Sequence, residues 1–174
     1  MPTPSRTSLD AITTAGVEIL ETRGLPGLTM QAVARAVGVK APSLYKHVRD
    51  RETLVGLVAD AAATDLAADL EEHEGLAGLA HALRSWAAAH PEMFRLVFSG
   101  RGSPEVAVAA GAPVVTAARD LVGPADKLSA ARLVTAWATG FISMELAGAF
   151  QLGGDVDEAF EYGIERLTVA LSGR

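Results

Sequence analysis

The chain has 174 residues and a net charge of −6; 49% of its residues are hydrophobic, 21% are charged, and none is cysteine. This length predicts one globular domain or two small ones, and the apolar fraction excludes an intrinsically disordered or collagen-like chain. The lack of cysteine excludes a disulfide scaffold, thiolate metal sites and a cysteine nucleophile. The N-terminus lacks the apolar run of a signal peptide, so we expect a cytoplasmic protein with no membrane segment.

The net charge is divided unevenly along the chain. Residues 1–51 contain seven Lys and Arg against four Asp and Glu, a net charge of +3, whereas residues 52–174 contain eight against seventeen, a net charge of −9. A basic first part on an acidic body predicts that only the first part meets a polyanion. Solvated surface charge is the alternative interpretation.

Helical periodicity extends over nearly the whole chain and predicts an all-α protein of about nine helices. The predicted helices span about 9–23, 30–37, 40–48, 51–70, 76–86, 91–98, 105–122, 125–152 and 156–171. Within the seventh of these, Pro113 predicts a break or a kink. Three side chains that can accept a hydrogen bond from a free helical N–H predict helix starts, and they are Ser8, Asp50 and Asp155.

Residues 28–48, LTMQAVARAVGVKAPSLYKHV, predict two short helices joined by a tight turn at Gly38, with the motif itself at about 29–48. Ala34 is a small side chain where the two helices approach each other. The apolar contacts that fix their crossing are Val33, Val37, Val39 and Leu44. Such a unit cannot bury its own core, so the first helix must complete a three-helix head through Leu9, Ile12 and Ile19. We therefore predict a helix-turn-helix domain over residues 5–51, its last helix directed at the DNA major groove, and a helical body over residues 52–174.

Several residues of this stretch match a known family position by position. They are Thr29, Gly38-Val39, Leu44-Tyr45, His47 and Arg51-Glu52. The run from Gly24 to Leu54 resembles the N-terminal DNA-binding domain of TetR-family bacterial repressors, with Val48 where the family usually carries Phe. The resemblance implies a DNA-binding regulator with a helical body.

Two kinds of DNA contact follow from these positions. Thr29, Tyr45, His47 and Arg51 would donate hydrogen bonds to phosphates, which fix the register without reading the sequence. The candidates for reading base edges are Lys40, Ala41, Pro42, Ser43 and Lys46, and Gln31 completes the predicted DNA-contacting set. The alternative is that Tyr45 is a core aromatic residue and His47 a solvated helix end.

The body carries a second resemblance, in residues 90–96 (HPEMFRL) and 137–141 (WATGF). These stretches resemble one class of TetR C-terminal domains, with Thr139 where that class usually has His. The resemblance implies a pocket for a small-molecule ligand. The predicted pocket residues are Trp86, Phe94, Arg95, Phe98, Trp137, Thr139, Phe141 and Met144. A packed core is the alternative for each large apolar side chain.

Two stripes of residues predict a homodimer. The eighth predicted helix carries mostly small residues at helical spacing, which lets another helix pack close to it, and the last helix carries a second stripe. The predicted interface residues are Ala136, Gly140, Ser143, Ala147, Phe160, Gly163 and Leu167. Two such helices from each subunit would form a four-helix bundle with two-fold symmetry, as the resemblance also implies. The alternative is that both stripes face the subunit's own core.

The predicted function is that of a transcriptional repressor, not an enzyme, which binds a palindromic DNA operator as a homodimer and is released by a small-molecule ligand. No nucleophile or nucleotide-binding motif occurs, and we expect no cofactor. We also expect no metal, since Glu72, His73 and Glu74 are adjacent on a helix and point in different directions. A helical interaction module without DNA binding is the alternative, and the basic cluster beside the exposed helix argues against it.

Overall fold

The computed structural model describes residues 8–173, which form ten helices and no strand. The all-α prediction is therefore confirmed. The helices are α1 (Leu9–Gly27), α2 (Met30–Ala36), α3 (Ala41–Leu44), α4 (Arg51–Glu71), α5 (Gly75–Ala89), α6 (Pro91–Val97), α7 (Pro104–Ala110), α8 (Ala112–Val122), α9 (Lys127–Leu146) and α10 (Val156–Ser172). The tenth helix arises because the predicted helix at 105–122 is broken at Gly111, two residues before Pro113.

The three predicted capping side chains all start helices. Ser8 accepts a hydrogen bond from the backbone N–H of Ala11 at the start of α1. Asp50 does the same for Thr53 in α4, and Asp155 accepts from two N–H groups at the start of α10. Each carboxylate or hydroxyl satisfies donors that the first helical turn leaves without a partner.

The chain divides into two compact units, which we describe separately. The first contains the described residues up to Asp65 together with His90–Ala107, and the second contains Leu66–Ala89 and the described residues from Val108 onward. The functional boundary at residue 51, which was inferred from charge and motif, remains a prediction.

The core of the first unit lies between α1 and α4. Gly16 permits their close approach, because a Cβ at this position would lie 2.5 Å from Cγ2 of Val58. Ile12 and Ile19 are buried as predicted, but Leu9 is 43% exposed because it lies in the first turn of α1. Helix α6 joins this core through its own backbone, since the N–H of Met93 donates to Glu21 on α1.

The second unit packs α5, α8, α9 and α10 around Phe160, which is fully buried. Its ring lies 5.1 Å from that of Trp137 and 5.2 Å from that of Phe141. The guanidinium of Arg84 stands over the Phe160 ring at 4.8 Å. It also donates to Glu145 on α9 and to Asp157 on α10. Arg84 therefore ties α5 to both of the last helices.

Helix α9 ends six residues earlier than predicted, at Leu146 instead of Leu152. Gly148 adopts a φ of +64°, a left-handed conformation that terminates helices and that glycine adopts without strain. The N–H of Ala149 then donates to the carbonyl of Met144 at 2.9 Å, which closes the end of the helix. Gly148 is therefore the glycine that ends the helix, and the predicted end at Gly153-Gly154 is wrong.

In the described part of the chain, no helix is both long and apolar enough to span a bilayer.

Candidate nucleic-acid interface

The helix-turn-helix forms from local signals around Gly38. Thr29 caps α2 by accepting a hydrogen bond from the N–H of Ala32 at 3.1 Å. After α2 the chain turns at Gly38, whose φ is +73°, and the N–H of Val39 donates to the carbonyl of Ala34 at 2.9 Å. Ala34 is buried at this turn, as its small side chain predicts. Residues 30–44 therefore form the predicted pair of helices.

Helix α3 is shorter than predicted, because only one turn at Ala41–Leu44 is α-helical. Turns continue it, with the N–H of His47 and the N–H of Val48 both donating to the carbonyl of Leu44. Leu44 and Val48 are buried and anchor this segment to the head. Val48 stands where the similar TetR-family sequences usually carry Phe, and its smaller side chain is also buried in the core.

The predicted DNA-contacting side chains lie on the surface of the first unit. Tyr45 is 53% exposed, so it is not a core aromatic residue, and that alternative interpretation is excluded. The exposed members of the set are Gln31, Lys40, Pro42, Tyr45, Lys46, His47 and Arg51, and the half-buried members are Thr29, Ala41 and Ser43.

Lys40 and Lys46 give this surface its positive charge. Within residues 8–173, neither ammonium group forms an ion pair, whereas the neighbouring Arg49 pairs with Asp50 at 2.8 Å. A cation with no carboxylate partner is available to a phosphate or to a base edge. The arrangement therefore fits a polyanion, and the acidic charge of the chain lies elsewhere.

Asp50 joins this surface to α4. Its Oδ1 accepts from the backbone N–H of Thr53 and from the Thr53 hydroxyl, both at 2.8 Å. These two hydrogen bonds, with a smaller contribution from Arg49, lower the pKa of the Asp50 carboxyl from 3.8 to about 2. Asp50 is therefore a structural carboxylate at the edge of a basic surface.

Arg51 has partners that sequence reasoning missed. Its Nε donates to the carbonyl of Leu28 at 2.8 Å, and its Nη2 donates to the carbonyl of Leu25 at 2.7 Å. The carbonyl of Leu25 lies in the last turn of α1, and that of Leu28 lies in the connection between α1 and α2. Nothing in the spacing of the sequence indicates this contact, since the partners stand 23 and 26 residues before Arg51.

The predicted pocket residues fall into both units. Phe94, Arg95 and Phe98 belong to the first unit, and Trp86, Trp137, Thr139, Phe141 and Met144 belong to the second. In the second unit Trp137 and Phe141 pack on Phe160 in the core. The hydroxyl of Thr139 donates to the carbonyl of Thr135 within its own helix.

A groove of about 510 Å³ lies in the first unit, on the surface of α1, α4 and α6. Its lining residues are Val17, Glu18, Glu21, Thr22, Asp65, His90 and Met93. None of the predicted pocket residues lines this groove. Among the described residues, no group of three or more His, Asp or Glu side chains is arranged to hold a metal ion.

The predicted interface residues behave differently on the two helices. Ala136, Gly140, Ser143 and Ala147 are all exposed along one face of α9. On α10, by contrast, Phe160 is buried in the core of its own unit. We therefore remove Phe160 from the predicted interface, while Gly163 and Leu167 are half-buried.

An all-α chain with an exposed, basic helix-turn-helix belongs to the class of DNA-binding proteins, and comparison with known proteins identifies the family. Residues 12–58 match the family model of bacterial regulatory proteins, tetR family. Residues 76–167 match the model of the tetracyclin repressor-like C-terminal domain. The chain therefore belongs to the TetR family, whose members are DNA-binding transcriptional regulators and not enzymes.

Individual relatives agree with this assignment. The chain is 27% identical to the HTH-type transcriptional regulator Rv0681 of Mycobacterium tuberculosis, over 98% of this chain and 84% of that protein. It is 35% identical to the class E tetracycline repressor protein of Escherichia coli, but over only 33% of this chain and 27% of the repressor. The crystal structure of the regulatory protein SCO4313 is similar with a TM-score of 0.78 and 28% identity, over 95% of this chain and 98% of that one.

Proposed function

We propose that the protein is a repressor that binds a two-fold-symmetric DNA site as a homodimer and leaves it when a small molecule binds to its body. The observation that carries the proposal is the pair of exposed lysines, Lys40 and Lys46, on a helix-turn-helix that buries its apolar side chains. Such a repressor works where bacterial DNA is, in the cytoplasm.

The DNA contacts divide into two kinds. Tyr45, His47 and Thr29 donate to phosphates, and these contacts set the register of the head on the duplex. Side chains of α3 and its flanking residues reach base edges: Lys40 before the helix and Lys46 after it suit the acceptors of guanine, and Ala41 or Pro42 suits a thymine methyl group. Two heads related by a two-fold axis then read two half-sites, roughly 34–36 Å apart.

The dimer is supported by the exposed small-residue face of α9. Ala136, Gly140, Ser143 and Ala147 leave this face flat enough for a second helix to pack closely, and Leu133 and Met144 are exposed beside it. Apolar side chains also remain exposed on α10, at Tyr162 and Val169. A monomer would leave both faces in water, and a two-fold bundle would bury them.

A ligand acts on DNA binding only if it prefers one conformation of the protein over another. The aromatic side chains of the C-terminal body, among them Trp137 and Phe141, are the proposed contacts of an apolar ligand. The chain of α4 contributes to both compact units, which makes it the proposed connection between the ligand and the head.

Binding titrations against DNA from the region flanking the gene, and against the same DNA scrambled, test the proposal. Tyr45→Phe removes a phosphate donor, so the affinity for both DNAs should fall by a similar factor, about 1 kcal/mol per subunit. Lys40→Ala should cost about 1–3 kcal/mol on the preferred site and relax preference at one base position. Arg119→Ala removes the same charge from an exposed residue of α8 and serves as the control.

If Lys40→Ala loses the same affinity for both DNAs, Lys40 contacts the DNA backbone. Residues 41–43 and Lys46 would then be the ones that contact base edges. If Tyr45→Phe and Lys40→Ala both bind like Arg119→Ala, the helix-turn-helix is not the DNA-binding surface. The same titration, repeated with small molecules that raise the melting temperature, tests release. If the DNA affinity is unchanged when such a small molecule saturates the protein, the proposed release from DNA by a ligand is excluded.

A further inference from the structure

Two backbone carbonyls mark the place where α1 ends and α2 begins. Gly24 kinks α1 with a φ of +64°, so the carbonyl of Leu25 lies in the short last turn after the kink and that of Leu28 lies at the C-cap of the helix. The N–H of Leu28 donates to the carbonyl of Leu25 at 3.3 Å. The kink and this long hydrogen bond mark the end of α1 as an irregular part of the helix.

The Arg51 guanidinium binds both carbonyls from the first residue of α4. Its Nε reaches the carbonyl of Leu28 at 2.8 Å and its Nη2 reaches that of Leu25 at 2.7 Å. A planar guanidinium has two N–H groups directed the same way, so it can hold two acceptors at once. Lysine at this position would retain the charge but would present a single nitrogen.

Each end of this contact is itself fixed. Leu28 is fully buried and directly precedes Thr29, which caps α2. Arg51 directly follows Asp50, which caps α4. The guanidinium therefore links the start of α4 to the start of α2, the helix against which α3 packs.

We propose that Arg51 is a positioning residue for DNA recognition: it holds the start of α2, and with it the helix-turn-helix, in place on α4, and it does not neutralise a phosphate. This inference rests on the proposed DNA-binding function. It replaces the phosphate contact that the position of Arg51 in the sequence predicts.

Three variants separate positioning from phosphate binding. Arg51→Lys retains the charge and loses the double contact, and Arg51→Gln loses both. Arg49→Gln is the control, because Arg49 lies two residues before Arg51, carries the same charge and pairs with Asp50 instead of the two carbonyls. The measurements are the affinities for the preferred and the scrambled DNA, each at several salt concentrations.

Positioning predicts that Arg51→Lys and Arg51→Gln both lose affinity for the preferred site by about 10- to 100-fold. Their affinity for scrambled DNA should change by the same small factor as in Arg49→Gln. The slope of log affinity against log salt should also match that of Arg49→Gln, since no phosphate contact is lost. A merely destabilised head would not preserve scrambled-DNA binding and salt slope together.

A phosphate contact predicts the opposite pattern. Arg51→Lys would then bind both DNAs like the wild type. Arg51→Gln would lose the same affinity for both DNAs, and its slope of log affinity against log salt would become shallower by about 0.9 per lost contact. Either result overturns the inference. If the wild type and Arg49→Gln prefer no DNA sequence at all, it is the proposed function that has failed.

Nuclear magnetic resonance of the wild type tests the contact without substitution. A positioning role predicts that the Arg51 Nε proton is protected from solvent exchange in the free protein and equally so after DNA is added. Protection that appears only with DNA would overturn the inference, even if the Arg51 variants fail to fold.

Discussion

The Asp50 carboxyl should make the stability of the protein depend on pH under acidic conditions. Its pKa is lowered from 3.8 to about 2 by hydrogen bonds from the N–H and hydroxyl of Thr53. A carboxyl whose pKa is lower in the folded state stabilises the protein fully above its unfolded pKa. We therefore expect the free energy of unfolding to fall as the pH is lowered from about 4 towards 2, where Asp50 takes up its proton.

Asp50→Asn is the matched variant, because asparagine retains an oxygen that caps the helix but does not titrate. Urea unfolding at pH 5, 4, 3 and 2, at one protein concentration, should show a weaker pH dependence for Asp50→Asn than for the wild type between pH 4 and 2. Parallel curves would mean that the Asp50 carboxyl has an ordinary pKa in the folded protein.

Capping residues and Arg51 show which residue roles can be predicted from sequence. Ser8, Asp50 and Asp155 act on N–H groups within three residues of themselves, so the local sequence contains both partners. Arg51 acts on carbonyls 23 and 26 residues away. Its role depends on how α1 and α4 pack, and spacing along the chain carries no signal of it.

The packing of α9 against α10 depends on Gly163. A Cβ on Gly163 would lie 2.2 Å from Cζ2 of Trp137, closer than any two such atoms can stand, so the indole must move. We expect Gly163→Ala to destabilise the protein, because overpacking costs about 1–3 kcal/mol and exceeds the gain in helix propensity of about 1 kcal/mol.

Gly78→Ala in α5 is the control for this substitution. Among the described residues, a Cβ at Gly78 would meet nothing within 4 Å beyond the backbone of its own helix, so alanine there should stabilise the helix by about 0.5–1 kcal/mol. The unfolding free energies of the two variants should therefore differ by about 2 kcal/mol, with a change in Trp137 fluorescence only in Gly163→Ala. An equal gain in unfolding free energy in Gly163→Ala and Gly78→Ala would show that α10 does not pack on Trp137.

The helices themselves were largely predictable, and their ends less so. The break before Pro113 followed from the residue that cannot continue a helix. The end of α9 could not be predicted in the same way, because glycines at 148, 153 and 154 all adopt positive φ and any of them can terminate a helix. Which one does so depends on tertiary packing, such as the contact of Phe150 with Phe141 at 4.7 Å.

At the scale of the whole molecule, the helix-turn-helix motif predicted which of its side chains are buried and which are exposed, and no such motif was available for the body. Exposed Lys40 and Lys46 follow from a motif with a fixed pattern of buried and exposed positions. In an alanine-rich body, the large apolar residues have no such pattern, so spacing alone does not distinguish core residues from interface residues. Phe160 is an example. Its helical spacing fitted an interface stripe and a core position equally well, and only the structure places it in the core.

In the proposed dimer, the face of α9 around Gly140 determines whether two chains associate. Among the described residues, a Cβ at Gly140 would meet nothing within 4 Å beyond the backbone of its own helix, so a larger side chain does not disturb the single subunit. In the proposed dimer the same position lies where two helices pack closely. Gly140→Glu would place two carboxylates near the two-fold axis, and we expect sedimentation to show monomers at micromolar concentration.

Gly78→Glu adds the same charge on α5, where a Cβ also points into open space, and this control variant should remain dimeric. Loss of the dimer should reduce affinity for the full DNA site by about 10²–10⁴-fold, because the second head no longer binds at the high effective concentration set by the first. Affinity for an isolated half-site should stay unchanged, since the head is intact. A dimeric Gly140→Glu protein with wild-type affinity would show that the subunits associate through another surface, and the exposed face of α9 would then need a different partner.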